Sequence, residues 1–433
     1  MEMYWCMSGL FLLTLLSDHV VTHVSAENIE GGNSTSSSAR GGKLVFNVVR
    51  FPNSACSGTN SLNGTCYTAS ECSSKSGTAA GSCASGFGVC CTFSISCGTS
   101  SSENNTYAII STYSTSTDSD PCIYTFCRRN ANICKLRIDF ESFTTAPPQG
   151  YVAEATATAT AFSNSFRLGQ CVNDVVKITN PGGPSPPTIC GVNTGQHMWV
   201  PASSACNQIN IDVDTGKTTP RSWTISVKQF ECGSTSMPQD DCLQYHTGTS
   251  GQFYSFAWDK SVTTLTTTSH THLARQYYDI CFRRERGYCS LCFTPYITSA
   301  IAATYTSFGV STSGDAAASQ SALSTLCGKS AAGTTEANQD YIEVVNLQAT
   351  IGTTNTAGAN KICGQKFAGA DGATVPATAC TWSSPFRWGV RFSDSEGLAI
   401  TATATPANNE YENEGVGGNG YMGFYMDWWQ NTC

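Results

Sequence analysis

The chain has 433 residues, of which 12% are charged and 40% hydrophobic, and its formal net charge at pH 7 is −8. A nucleic-acid-binding protein needs a basic surface, so this acidic balance argues against nucleic acid as a partner. The chain also contains 23 cysteines, a number typical of extracellular proteins stabilised by disulfides.

The first 26 residues have the pattern of a secretory signal peptide. An apolar run from Met7 to Leu16 precedes small or branched residues that end at Ala26. A membrane span needs about 20 apolar residues, so this run is too short to be an anchor, and no later stretch is as apolar. We therefore expect a secreted, extracellular chain without a membrane span. Residues 27–44 are rich in glycine and serine and predict a flexible arm.

Cleavage after Ala26 would remove Cys6 and leave 22 cysteines, an even number that predicts complete pairing. They fall into blocks of six, eight and eight, so each block can close on itself. The members are Cys56, Cys66, Cys72, Cys83, Cys90 and Cys91; Cys97, Cys122, Cys127, Cys134, Cys171, Cys190, Cys206 and Cys232; and Cys242, Cys281, Cys289, Cys292, Cys327, Cys363, Cys380 and Cys433. Three sequons, at Asn33, Asn63 and Asn104, predict N-glycosylation and agree with secretion.

Residues 45–91, called the knot below, contain the first cysteine block and few bulky side chains. Bridges, each worth about 2–4 kcal/mol, must therefore replace a large apolar core. Adjacent Cys90 and Cys91 are expected to bond elsewhere, because neighbouring side chains in a strand point in opposite directions. Zinc is the competing interpretation, but CxxC ligand pairs are missing from this block and the compartment is oxidising.

The rest of the chain shows the two-residue period of β-strands. In the stretch from Cys134 to Phe143, Leu136, Ile138 and Phe140 alternate with polar residues. Turn signals such as the Gly/Pro-rich segment 180–187 separate short strands of this kind. The sequence therefore predicts an all-β protein built from two-layer antiparallel β-sandwiches.

Residues 92–234 and 235–433, called the first and second modules, look like diverged copies of one unit. "TICG" at Thr188 corresponds to "KICG" at Lys361, and "CVNDVVKI" corresponds to "NQDYIEVV". An alternating aromatic strand precedes the last cysteine of each copy. The cysteine order agrees while loop lengths differ, which is the expected behaviour of a repeat with loop insertions.

These motifs resemble those of CUB domains. The first module carries the resemblance in "PCIYTFC", "CVNDVVKITNPGG" and "WTISVKQFEC", and the second, more divergent module carries it in "DYIEVVN", "KICG" and "GYMGFYMDWWQNTC". The knot, which ends in Cys-Cys, is similar to the clip-like segment at the front of secreted arthropod CUB proteins. The resemblance implies jelly-roll-like sandwiches, protein or carbohydrate binding and no catalysis. For the knot it implies the pairs Cys56–Cys90, Cys66–Cys83 and Cys72–Cys91.

The resemblance also implies a calcium site in each module, made of a Glu, a strand Asp and an Asp in a later loop. Hard oxygen ligands suit this ion. The matching residues are Asp174 with Asp212 or Asp214 in the first module, and Glu336, Asp340 and Asp394 in the second. The expected Glu is not in place in the first module. The alternative role for these acids is to cap turns or to face solvent.

The sequence does not predict an enzyme. It contains neither a "GDSGG"-like nor a "TAAHC"-like stretch for a serine protease, and no HExxH for a zinc protease. The segment "SHTH", with His270 and His272, could bind a metal but is more typical of a solvated loop. His197 is expected in a strand, and the CxxC of Cys289 and Cys292 is expected to form structural disulfides.

Two features could contact a partner. Trp428 and Trp429 are adjacent in a predicted strand, so that only one of them should face the core. Arg283, Arg284 and Arg286 form a basic patch that could meet a sulfated glycan or an acidic protein, or be a solvated strand edge.

The sequence therefore predicts a non-catalytic extracellular protein that uses CUB-like modules for protein or glycan recognition, requires no cofactor and could bind calcium. One alternative is a non-catalytic regulator of a clip-type serine protease cascade. Another is a structural component of extracellular matrix or cuticle.

Overall fold

The computed structural model describes most of the knot and both modules. The described residues are 49–114, 118, 120–149, 169–214, 216, 219–260, 271–296, 307–310, 327, 340–351, 354–355, 359–364, 367, 377–393 and 423–433. Phe51–Cys433 form one compact unit. The predicted signal peptide, the arm and Asn33 lie outside the described residues.

The described chain is almost entirely β-structure, as the alternating pattern predicted. In the knot the strands are β1 (Ala55–Ser57), β2 (Asn63–Tyr67), β3 (Thr78–Cys83) and β4 (Gly88–Ile95), with one α-helix, α1 (Ala69–Ser74), and a 3-10 turn (Ala84–Gly86). In the first module they are β5 (Ser100–Ser101), β6 (Thr106–Ile110), β7 (Cys122–Phe126), β8 (Ile133–Thr144), β9 (Val175–Thr179), β10 (His197–Pro201), β11 (Asn207–Asp212) and β12 (Ser222–Glu231).

The second module continues the series. Its strands are β13 (Cys242–His246), β14 (Ser250–Tyr254), β15 (Gln276–Phe282), β16 (Tyr288–Pro295), β17 (Phe308–Gly309), β18 (Tyr341–Ile351), β19 (Thr354–Asn355), β20 (Ala359–Ile362), β21 (Thr378–Thr381), β22 (Arg387–Phe392) and β23 (Gly423–Thr432). No helix among the described residues is long and apolar enough to cross a membrane.

The knot is a small sheet with one helix, in which two disulfides join strands to each other and one joins the helix to the sheet. The Thr68 hydroxyl accepts a hydrogen bond from the Glu71 backbone N–H, and the Glu71 carboxylate accepts one from the Thr68 N–H. This capping box fixes where α1 begins. The bonds are Cys56–Cys90, Cys66–Cys83 and Cys72–Cys91, the same pairs that the clip resemblance implies.

The first module is a two-layer sandwich. One sheet runs β1-β2-β4-β6-β12-β8-β10 with β3 beside β4, and the other runs β5-β7-β11-β9. The face of β8 that alternation predicted, Leu136, Ile138 and Phe140, is buried between the layers with Trp223. The knot is not a separate layer, because β4 pairs in parallel with β6 and extends the module's sheet.

The second module is held together by one long strand, β18. Its first half pairs with β22 and its second half with β21, so it belongs to both layers. Asn346 lies between the halves with a φ of 51°, a left-handed conformation that asparagine tolerates better than most residues. Most pairs are antiparallel, as predicted; the exceptions among the described strands are β4–β6, β5–β7 and β13–β15.

All eleven disulfides join cysteines of the same block. In the first module they are Cys97–Cys122, Cys127–Cys206, Cys134–Cys232 and Cys171–Cys190. In the second they are Cys242–Cys281, Cys289–Cys433, Cys292–Cys380 and Cys327–Cys363. In both modules the first cysteine bonds to the second and the fifth bonds to the sixth. The third and fourth cysteines exchange their partners, so equal cysteine order did not ensure equal connectivity.

Hydrogen bonds and apolar contacts both connect the two modules. The Gln196 side-chain amide donates to the backbone carbonyls of Tyr254 and Ser255, both at 2.9 Å, and accepts from the Gln244 side chain at 2.7 Å. One continuous cluster of buried apolar residues extends through both modules. The module boundaries remain predictions, and the modules do not form separate cores.

Candidate binding surface

A cavity of about 140 Å³ opens on the outer face of the second module, where β15, β22 and β18 lie side by side. Alternation along β22 buries Trp388 and Val390 and leaves Arg387, Gly389 and Arg391 to line the cavity. The 383–385 segment, which leads into β22, closes one side. The two arginines give this part of the sheet its polar character.

Gly389 makes room for one of these arginines. A Cβ atom at this position would lie 2.8 Å from Arg391 Nη2, so a larger residue here would displace the guanidinium from its present position across the strand. Arg391 Nη2 then contacts Asp279 Oδ1 at 2.7 Å and Glu343 Oε2 at 3.1 Å. The carboxylates on the two neighbouring strands therefore fix the guanidinium over the cavity floor.

The second arginine joins the cavity to the segment that precedes the module's first strand. Arg387 Nη2 donates to Gln239 Oε1 at 2.7 Å and to Asp241 Oδ1 at 3.0 Å, and Nη1 contacts Asp279 Oδ2 at 3.3 Å. The hydrogen bonds from Arg387 lower the pKa of Asp241. The two guanidiniums and their acids are thus mutually paired, which leaves the cavity without a large charge excess.

Three exposed apolar side chains lie on the elements that line the cavity or next to them. Tyr277, next to Arg391 in register, is 64% exposed; Val345, on β18, is 58% exposed; and Trp382, between two segments that line the cavity, is 53% exposed. They are half of the six large apolar residues that are exposed in the described chain. An arginine-centred patch with aromatic and aliphatic neighbours has the composition of protein-binding surfaces.

Sequence reasoning did not find this surface. Tyr277, Val345 and Trp382 are 37 or more residues apart along the chain, and none lies in a conspicuous motif. A signal for part of the surface exists in the alternation of "RWGVRF", which places Arg387 and Arg391 on one face of a strand, but the sequence analysis did not use it. Which strands flank that face depends on pairings between residues far apart, and the sequence pattern does not show these.

The two features that sequence reasoning proposed as contact sites differ in exposure: one of the two tryptophans is buried, whereas Arg284 and Arg286 are exposed. Trp428 is 2% exposed and Trp429 is half-buried. Arg283 is paired with Glu285 at 2.8 Å, and Arg284 donates to the Tyr288 carbonyl at 2.6 Å. The basic patch is therefore partly neutralised within its own turn.

The first module does not fit a calcium ion at the residues proposed for it. Asp174 is fully buried and both of its oxygens receive hydrogen bonds from Arg221, at 2.7 and 2.8 Å. Asp214 approaches Asp174 through its backbone N–H, not through its carboxylate. Asp212 is exposed on β11. A cationic side chain therefore lies against the oxygens that a metal would need.

In the second module only Asp340 of the proposed ligands is described; Glu336 and Asp394 lie outside the described residues. Asp340 accepts a hydrogen bond from the Ser393 backbone N–H and lies 3.3 Å from His272 Nε2. The side chains of His272 and Asp340 are fully buried, so this pair cannot reach a substrate. Within the described ranges no group of three or more His, Cys, Asp or Glu is placed to hold a metal.

The two described sequons differ in environment. Asn63 is exposed at the start of β2. Asn104 is half-buried, and its amide oxygen accepts a hydrogen bond from the Gln229 backbone N–H at 2.7 Å. Glycosylation stays a prediction at both positions, with Asn63 the more accessible.

Comparison with known proteins found a family match for one part of the chain. A search of curated proteins found no match. Two solved structures are similar at low identity. The CUB1-EGF-CUB2 domain of human MASP-1/3 is 11% identical, with 75% of this chain and 99% of that chain covered and a TM-score of 0.18. The full extracellular region of zebrafish Gpr126/Adgrg6 is 14% identical, with 78% and 37% covered and a TM-score of 0.22.

At those TM-scores neither similarity carries an argument about this chain. The sequence analysis described the second module as the more divergent of the two. The family match nevertheless lies in this second module and includes the whole candidate surface. Residues 239–431 match the animal CUB domain family.

Proposed function

We propose that this chain is a non-catalytic extracellular binding protein that recognises a partner protein through the Tyr277, Val345 and Trp382 surface. The clustering of these three exposed side chains around Arg387 and Arg391 carries the proposal. Exposed apolar side chains provide area that a partner can bury. Because the charges beside them are already paired, binding would not leave a buried charge without a partner. The family match of residues 239–431 supports a binding role.

Capture from extracellular fluid with a matched pair of variants tests the surface. The secreted protein is immobilised as wild type, as Trp382→Ala and as Phe87→Ser. Phe87 is 63% exposed and lies in the knot, so it controls for the loss of an exposed aromatic ring elsewhere. We expect Trp382→Ala to weaken retention of the partner at least about tenfold, as for a central interface aromatic, and Phe87→Ser to leave it unchanged.

The two alternatives predict other outcomes of the same experiment. The knot has the disulfide pairing that the clip resemblance implies, which supports a regulator of a clip-type protease cascade. That function predicts capture of zymogen proteases that Phe87→Ser weakens and Trp382→Ala does not. Chitin or matrix polymers retained equally by all three proteins would support a structural component. Either result contradicts the proposed surface.

A further inference from the structure

Asp174 lies just before β9 and is completely removed from solvent. Four N–H groups point at its two carboxylate oxygens. Arg221 Nε and the Ala146 backbone N–H donate to Oδ2 at 2.7 and 2.6 Å, and Arg221 Nη2 and the Asp214 backbone N–H donate to Oδ1 at 2.8 and 3.1 Å. The guanidinium contact is bidentate, the strongest geometry for this pair.

The other side of the same guanidinium faces backbone oxygens. Arg221 Nη2 donates to the Asp214 carbonyl at 2.8 Å and Nη1 donates to the Thr219 carbonyl at 3.2 Å. A buried carboxylate and two carbonyls of one loop thus converge on a single positive group. Carboxylate and carbonyl oxygens converging in this way are also the ligands that a Ca²⁺ ion takes.

We propose that Arg221 is the built-in cation of the first module: its guanidinium takes the position that a calcium ion would otherwise need between Asp174, Asp214 and Thr219. Loss of its positive partner would leave the carboxylate of Asp174 as an uncompensated buried charge, which is strongly destabilising. A covalently attached partner supplies that charge whatever the calcium concentration of the surrounding fluid. The first module is therefore calcium-independent.

The second module provides the comparison within the same chain. Asp340, the residue that the sequence repeat matches to Asp174, also accepts a backbone N–H from the end of the neighbouring strand, that of Ser393 after β22. His272 Nε2 lies 3.3 Å from the other oxygen of Asp340. Asp340 thus lies beside an imidazole, where Asp174 has a permanently charged guanidinium.

Thermal unfolding of the full secreted protein, in EDTA and in millimolar CaCl₂, tests the proposal. All proteins carry Asp340→Asn, which removes the second module's acid from the comparison. The variants are Arg221→Ala, Arg221→Lys and, as a control, Arg391→Ala, an ion-paired arginine on the outer face. For the Asp340→Asn parent, and likewise for the control, we expect the Tm in EDTA to equal the Tm in CaCl₂.

For Arg221→Ala we expect the Tm in EDTA to fall by roughly 10 °C, because the buried carboxylate loses its partner. Calcium should then restore part of that loss, since the vacated position is lined with oxygens. Arg221→Lys keeps the charge without the bidentate contact. Its Tm should lie between those of the parent and Arg221→Ala and should not change with calcium. If Arg221→Ala is not secreted in calcium-free medium, its recovery from calcium-containing medium is the equivalent observation.

Three results would overturn the proposal. A parent protein whose Tm rises with calcium would show a metal site that Arg221 does not fill. An Arg221→Ala variant that melts like the parent would show that the guanidinium is not needed. A destabilised Arg221→Ala variant that calcium does not rescue would show a structural ion pair at a position where no metal can replace it.

Discussion

At the scale of single residues, two histidines at the module junction determine how the protein should respond to acid. His197, on β10, and His246, on β13, have ring centroids 5.3 Å apart. His197 Nε2 accepts a hydrogen bond from the Tyr245 backbone N–H at 2.9 Å, so this ring is neutral. Burial lowers the pKa of His246 to about 4 and holds that of His197 well below its usual value.

The neighbouring charges act in the same direction as burial. Arg137, on β8, lowers the pKa of both rings, and Lys228, on β12, lowers that of His197. Asp139 is the β8 residue opposite His197 in register, and it is ion-paired with both Arg137 and Lys228. Around His246 the ring neighbours are apolar, Phe253, Phe282 and Trp428 among them.

We therefore predict that the protein loses stability as the pH falls from about 6.5 towards 4. Both folded-state pKa values lie below the unfolded value near 6.5, so the unfolded chain binds more protons across this window. The lowered pKa of His246 alone corresponds to about 3 kcal/mol of free energy of unfolding. Urea titrations at pH 7 and pH 4.5 measure the loss.

His246→Phe should reduce this pH dependence, because phenylalanine fits the aromatic surroundings and cannot bind a proton. The pKa of Asp241 is also lowered, by its hydrogen bonds to Arg387, but that contribution is lost only as the pH falls through the acid's own low pKa. A variant as sensitive to pH between 7 and 4.5 as the wild type would contradict the assignment to this histidine.

The acids show what single residues in the sequence could and could not predict. Asp174 and Asp340, which the sequence repeat matches to each other, are both fully buried. The partner of Asp174, Arg221, is 47 residues further along the chain, in a stretch that reads as a plain strand start. Residue type and spacing indicate that a buried carboxylate needs a positive partner. They do not show which positive group the fold places beside it.

At the scale of elements, strand positions followed from the sequence better than strand pairings did. The two-residue period identified β8, and the even cysteine blocks indicated that each cysteine bonds within its own block. The parallel join of β4 to β6 and the sharing of β18 between layers depend on chain paths that have no local signature. The same limitation concealed the candidate surface, which three such strands form.

The knot offers a test of how tightly one element is packed around its bridges. A Cβ atom at Gly77 would lie 2.2 Å from Cys91 Sγ and 3.1 Å from Cys72 Sγ, the two atoms of one disulfide. We predict that Gly77→Ala lowers the free energy of unfolding by about 1–3 kcal/mol, because the bridge or the strand must shift. Chemical denaturation with the disulfides intact measures the change.

Gly183→Ala is the matched control for that experiment. Its added methyl group would lie 3.3 Å from the nearest atom, in a Gly/Pro-rich turn of the first module. The control should unfold within about 0.5 kcal/mol of the wild type, as surface substitutions usually do. Equal effects of the two substitutions would show that the crowding at Gly77 is not the cause.

At the scale of the whole molecule, the two modules are bound into one structure by more than their connecting segment. Lys135 Nζ donates to the carbonyls of Pro238 and Gln239 at 2.7 and 2.8 Å, and the Tyr254 hydroxyl donates to the Thr194 carbonyl at 2.6 Å. Together with Gln196 and the shared apolar cluster, these contacts make the junction part of the interior. The sequence repeat alone favoured two separately packed modules.

We predict a single cooperative thermal transition for the full-length protein. Because one apolar cluster extends through both modules, neither can unfold without exposing part of the other. Gln196→Ala should shift the whole transition to lower temperature, by the equivalent of about 1–3 kcal/mol, since it leaves buried polar groups unpaired. Differential scanning calorimetry checks both expectations.

Gln252→Ala is the control, because that side chain bonds Asp427 and Tyr425 inside the second module only. It should leave the position of the transition nearly unchanged. Two resolved peaks for the wild type, or a Gln196→Ala variant that melts like the control, would show that the modules unfold independently.

The Gln196 junction has a consequence for avidity. A partner with two epitopes, one for each module, would meet them at a spacing and orientation already set before the encounter. It would not have to immobilise a hinge, so the second contact would form at a high effective concentration and little conformational entropy would be lost. The same preorganisation discriminates against partners whose epitopes are spaced differently, since the junction cannot stretch to accommodate them.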